Sequence, residues 1–131
     1  MKRFLLDTSA LLTLRDDEPG ADRVEALLRD PDTHCLACFM TRMEVLYRVW
    51  KDEGELAGKL ALQQCYALPI DWVESSDALL LRAAAIKARN PLSLADAWIA
   101  AAAFEQDAIL VHKDPEFSVL DLQQEVLPYK N

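Results

Sequence analysis

The chain is poor in the residues that build disulfide frameworks and imidazole or thiolate metal sites, with three cysteines and two histidines in 131 residues. An odd cysteine count argues against a disulfide framework. Cys35 and Cys38 have the spacing of half a zinc site, but there is no second pair to complete it. They stand in the apolar segment 35–39 and read as buried thiols. His34 and His112 lie too far apart in sequence to suggest a metal pair. No apolar run reaches the length of a membrane span. The apolar opening at residues 4–6 stops at Asp7, too short for the core of an export signal, so the expected location is the cytoplasm. Repeats, low-complexity tracts and linkers are missing as well, and a single domain over 1–131 is expected.

Basic charge is also scarce. Fourteen Lys and Arg face 22 Asp and Glu, a net charge of −8. A nucleic-acid binder usually shows a basic surface. Either this chain binds none, or its acids are gathered where cations neutralise them.

What is present is an apolar content of 52%, enough for a real core. Short apolar runs at 3–6, 35–39, 69–73 and 108–111 read as strands, with a further short strand near 119–122. Helical spacing covers 9–14, 21–29, a long stretch from Arg42 that Gly54 ends or kinks, 56–68, 78–89 and 94–104. Apolar strands alternating with helices predict a three-layer α/β/α domain around a parallel sheet of four to five strands. Ligands of such sheets bind beyond the carboxyl ends of the strands.

Four carboxylates fall near those ends. Asp7 closes the first strand, Glu44 begins the helix after the second, Asp96 is in the first turn of the helix before the fourth, and Asp114 lies just past the fourth. Each also reads as a helix cap or capping-box acid: Asp7 before Ser9, Thr41 with Glu44, Ser93 with Asp96, and Asp114 before Pro115. Asp96 fits that reading least. Its helix, 94–104, is apolar almost all round and should be buried, and no Lys or Arg lies within a turn of it. A buried carboxylate is costly unless paired or bound to metal. Oxygen donors alone suit Mg²⁺ or Mn²⁺. Two such ions, roughly 4 Å apart, can hold the attacking and leaving oxygens of a phosphodiester displacement.

These segments resemble the motifs of PIN domains. Residues 5–12 (LLDTSALL) are similar to the opening motif, 41–45 (TRMEV) to the central one, 92–102 (LSLADAWIAAA) to the third and 109–117 (ILVHKDPEF) to the fourth. The nearest group is the small toxin ribonucleases of the VapC type. The resemblance implies a Mg²⁺- or Mn²⁺-dependent endoribonuclease that cuts RNA, is commonly a homodimer, and is silenced by a cognate antitoxin. It implies Asp7, Glu44, Asp96 and Asp114 as catalytic acids, with Asp7, Asp96 and Asp114 on the metal. Thr8 and Ser9 would support the site, and Glu116 would share the role of Asp114. Two residues depart from the pattern: His112, where the family usually has Thr or Ser, and Pro115.

Other candidates carry less. Arg42, Arg48 and Lys113 are possible phosphate contacts, although Arg48, four residues after Glu44, reads first as a helix-surface ion pair. His112 reads as a hydrogen-bonded structural histidine. Met43, Leu46, Tyr47 and Trp50 form a stripe read as core or dimer interface rather than an RNA-stacking platform. The rival readings are a catalytically silent PIN-like module that binds protein or RNA, and a phosphoacceptor receiver-like domain. The receiver would need an acid pair after the first strand, where Asp7 is followed by Thr8 and Ser9, and an acceptor after the third, where Asp71 lies inside the strand.

Overall fold

A computed structural model describes residues 1–129. Five strands, β1 (Lys2–Leu6), β2 (Thr33–Cys38), β3 (Asp71–Val73), β4 (Ile109–His112) and β5 (Gln124–Val126), form one sheet in the order β3-β2-β1-β4-β5. Every neighbouring pair is parallel. Six helices flank it: α1 (Thr8–Arg15), α2 (Ala21–Arg29), α3 (Phe39–Glu53), α4 (Glu55–Tyr66), α5 (Asp77–Arg89) and α6 (Leu94–Glu105).

The strand side chains explain the three layers. Leu5, Leu36, Cys38, Val73 and Leu110 point into a core shared with α5 and α6. Phe4, Leu6, Cys35, Ala37 and Val111 point the opposite way, among residues of α1 to α4. A strand buried on both faces has no polar alternation, which is why these runs are apolar throughout. The α/β/α fold with a parallel sheet is therefore as expected. All three cysteines are free and buried. Burial pushes the Cys38 thiol up to about 12 and that of Cys65 to about 11.

Three local expectations need correction. Helix α3 starts at Phe39, not Arg42, and β2 ends at Cys38. Phe39 packs edge-on against Trp98 of α6, ring centroids 5.0 Å apart, so tertiary packing starts this helix rather than a polar cap. Residues 119–122 are not a strand. Pro115–Val119 is a 3₁₀ turn capped by Asp114, and β5 begins only at Gln124. A parallel neighbour to β4 needs a crossover, and residues 113–123 are consumed by it. The stripe on α3 is not core: Met43, Tyr47 and Trp50 are exposed, while Thr41, Glu44, Val45 and Val49 face inward. Gly54 does separate α3 from α4, with a φ of 104° that other residues rarely adopt.

Candidate functional site

Sheet order decides what the acids can do. Strands β1 and β4 are neighbours, so the residues after them share one edge; the Asp7 N–H donates to Val111 O at 3.0 Å. Helix α6 leads into β4, so its first turn returns to that same edge, and α3 leaves β2 there. Strand order reverses beside β1, the kind of switch point where open α/β sheets bind ligands.

Asp7 is 3% exposed and caps α1. Its Oδ2 accepts from the Ser9 N–H at 3.1 Å and from the Ser9 hydroxyl. Its Oδ1 is buried and has no hydrogen-bond partner among the described residues. Burial holds this carboxyl above its ordinary range; the Ser9 hydrogen bonds oppose the rise and the charge of Glu44 adds to it. Capping therefore uses one oxygen and leaves the other without a donor among the described residues.

Glu44 is buried on the inner side of α3. The Thr8 hydroxyl donates to its Oε1 at 2.7 Å, and Thr41 Oγ1 lies 3.1 Å from Thr8 Oγ1. Because α3 begins at Phe39, the expected capping box of Thr41 and Glu44 does not form. Thr41 is inside the helix, and its hydroxyl faces Thr8 of the neighbouring helix α1. The spacing was read as a cap, and only the fold shows that it links α1 to α3.

Asp96 lies in the first turn of α6, whose N-cap Ser93 accepts from the Asp96 N–H at 3.1 Å, as expected. One carboxylate oxygen from each of Asp96, Asp114 and Glu116 lies within 4.8 Å of the others. Burial first pushes the Asp96 carboxyl up to about 9. Shared hydrogen bonds with Glu116 and Asp114 and the charge of Asp7 push the same way. Asp114 caps the 3₁₀ turn through Oδ1, which accepts from the Glu116 N–H at 2.9 Å. Asp7 is thus an electrostatic neighbour of both Glu44 and Asp96, and the five acids form one chain of charge along the sheet edge.

Carboxylates so placed repel one another unless protons or cations intervene. An orphaned buried oxygen on Asp7 and a donor set made only of oxygens fit a hard divalent cation. Among the described residues Asp96, Asp114 and Glu116 stand close enough together to hold it.

The remaining candidates are partnered. Arg42 is tied to Glu74, and Lys113 Nζ donates to Pro19 O at 2.9 Å and reaches Glu18 at 3.5 Å. Arg48 reaches Glu44 Oε2 at 3.8 Å, the expected helix pair, and remains half-exposed. His112 is buried and hydrogen-bonded at both ring nitrogens, as read. Gln124, one of its partners, carried no signal in the sequence. The receiver-like reading loses its acceptor: Asp71 opens β3 and pairs with His34, at the strand's start rather than its carboxyl end.

Among the described residues no helix is long and apolar enough to cross a membrane. No curated protein sequence matches the chain. Solved structures do. A chain of the VapBC2 complex from Rickettsia felis, bound to a DNA fragment from its promoter, superposes with a TM-score of 0.79 at 15% identity, over 96% of this chain and 99% of that one. A toxin–antitoxin complex from Klebsiella pneumoniae gives 0.69 at 24% identity, over 97% and 98%. VapC20 from Mycobacterium tuberculosis, described as a toxin cleaving the sarcin-ricin loop, gives 0.75 at 16%, over 95% and 99%. At these identities the likeness is one of fold. The sequence model of the PIN domain matches residues 4–122. Because that match runs from the first strand to beyond the last acid of the site, the chain belongs to the PIN-domain family.

Proposed function

We propose that this chain is a metal-dependent endoribonuclease, the toxin half of a toxin–antitoxin pair, hydrolysing RNA phosphodiester bonds at the acidic sheet edge. The observation that carries the reading is Asp7 Oδ1, a buried carboxylate oxygen without a donor, beside an Asp96 that burial and neighbouring acids push up to about 9. Such a constellation is costly in a silent binding module, since buried polar atoms are normally partnered.

Asp7, Asp96 and Asp114, with Glu116 beside them, would hold Mg²⁺ or Mn²⁺. Bound there, a cation would supply Lewis acidity and positive charge toward the phosphate. The chain's own groups do the rest. Ser9 fixes the rotamer of Asp7 through Oδ2. Thr8 donates to Glu44 Oε1, and Oε2, with Arg48 at 3.8 Å, orients the attacking water and accepts its proton. Water oxygen bonds to phosphorus, the bond to the leaving ribose oxygen breaks, and that oxygen takes up a proton from solvent water.

The VapBC complexes that share the fold support a cognate antitoxin as partner. A homodimer, a cytoplasmic location and a single domain across the chain complete the proposal. The test is cleavage of end-labelled structured RNA by purified protein with Mg²⁺, Mn²⁺ or EDTA, alongside Asp96→Asn. Metal-dependent cutting that disappears in the variant is expected. Cutting by Asp96→Asn at the wild-type rate would remove the site assignment, and metal-independent cutting would remove the mechanism.

A further inference from the structure

His112 ends β4 with 1% of its surface exposed. Its Nδ1 accepts from the Asp114 N–H at 2.9 Å. That contact leaves the ring proton on Nε2, which lies 2.8 Å from Gln124 Oε1 and donates to it. The Gln124 amide is fixed from its other side, where Nε2 donates to Phe117 O at 2.9 Å and Leu120 O at 3.3 Å. With its nitrogen committed to two carbonyls, the amide presents only its oxygen to the imidazole. Phe117, fully buried, lies edge-on to the ring, centroids 4.8 Å apart, and blocks its rotation. Every polar atom along this path is satisfied, the condition under which a buried polar network specifies one geometry.

The path begins on β5 and ends at the backbone of Asp114. It also pins Phe117 O and Leu120 O, on and beside the 3₁₀ turn that carries Glu116. The β4–β5 pair has its own backbone ladder, including Leu127 N–H to His112 O at 2.7 Å. The Gln124 amide is therefore not needed to join the strands. What it adds is the placement of two acids opposite Asp96.

We propose that Gln124 is a positioning residue of the acidic site, acting through His112 to hold Asp114 and Glu116 in place for the cation. This rests on the metal-site reading above and goes beyond it by making β5, which carries none of the acids, part of the site. Partners that orient metal ligands typically change metal affinity 10–100-fold when removed.

The test is Mn²⁺ binding, followed by the paramagnetic signal of the free ion, in wild type, Gln124→Met, His112→Asn and His112→Leu. Gly58→Ala serves as a variant weakened at the α3–α4 contact, on elements other than β5 and the 3₁₀ turn. Gln124→Met keeps chain length and removes the amide's hydrogen bonds. It should bind Mn²⁺ about 10–100-fold more weakly, with KM for RNA unchanged at saturating metal. The Asn amide oxygen takes the place of Nδ1 for the Asp114 N–H, so His112→Asn should retain more Mn²⁺ affinity than His112→Leu. Gly58→Ala should lose thermal stability and keep wild-type affinity. A folded Gln124→Met with wild-type affinity overturns the proposal. So does equal loss in both His112 variants, or failure of Gln124→Met to fold, which would assign the amide to the fold alone. A wild-type protein that binds no Mn²⁺ overturns the metal reading itself and this proposal with it, and only that outcome shows in the unmutated arm.

Discussion

The hydroxyl of Ser9 joins Asp7 to Lys113: it donates to Asp7 Oδ2 and accepts from the Lys113 N–H at 3.0 Å. One small side chain thus ties the loop after β1 to the loop after β4, and so sets the spacing between Asp7 and Asp114.

Ser9→Ala follows from that link. It leaves the Lys113 N–H unpaired and frees the Asp7 rotamer. Stability should fall by about 1–2 kcal/mol, the cost of an orphaned donor. Mn²⁺ affinity should fall by about 10-fold or more. Urea unfolding and metal titration measure the two separately.

Asp96 makes the metal-free protein sensitive to pH. Its carboxyl is raised to about 9 in the folded chain, against an ordinary value near 4 when unfolded. The folded state therefore binds the extra proton across that interval, and stability falls as pH rises from about 4 toward 9. The elevated Asp7 acts in the same direction. The exposed acids Glu53 and Glu74, lowered mainly by hydrogen bonds from Arg15 and Arg42, act oppositely and below the ordinary carboxylate range, outside this window. Asp96→Asn should flatten the dependence and raise Tm at pH 8, read by thermal unfolding in EDTA.

The same proton must leave before a cation binds. Mn²⁺ affinity should rise with pH between about 6 and 9, and calorimetry in buffers of different ionisation heat should detect proton release. An affinity flat over this range, with no proton release, would contradict Asp96 as the group displaced.

Thr13 is fully buried in α1, and its hydroxyl has no hydrogen-bond partner among the described residues. Val has nearly the same shape without the polar atom. Thr13→Val should be neutral or stabilise by about 1 kcal/mol, seen as a higher urea midpoint at constant m-value.

Gly58 lets α4 lie against α3. A Cβ there would stand 2.8 Å from Leu46 O and 2.9 Å from Trp50 Cβ, and the carbonyl belongs to helix backbone. Gly58→Ala should cost about 1–3 kcal/mol through overpacking, with the group of Asp96, Asp114 and Glu116 undisturbed.

Much of this protein is legible along the chain, and what is legible is local. Apolar runs of β1, β2 and β4 announce strands buried on both faces. Asp7, Ser93 and Asp114 announce their turns because a cap bonds a backbone N–H only two or three residues ahead, within the reach of sequence spacing. The nearly all-apolar α6 marks Asp96 as a carboxylate in need of a counter-charge. Local spacing misled at Thr41, where a cap signal meets no helix end: α3 had already begun at Phe39, against Trp98. It was silent at Gln124. Tertiary structure alone decided that β1 lies beside β4, that Thr8 meets Glu44, that Ser9 meets Lys113, and that β5 reaches the site through His112. These contacts join residues that mostly lie tens of positions apart, and their partners are chosen by strand order and crossover rather than by any repeat in the sequence. The acids are written in the chain, but only the order of the strands brings them to one edge.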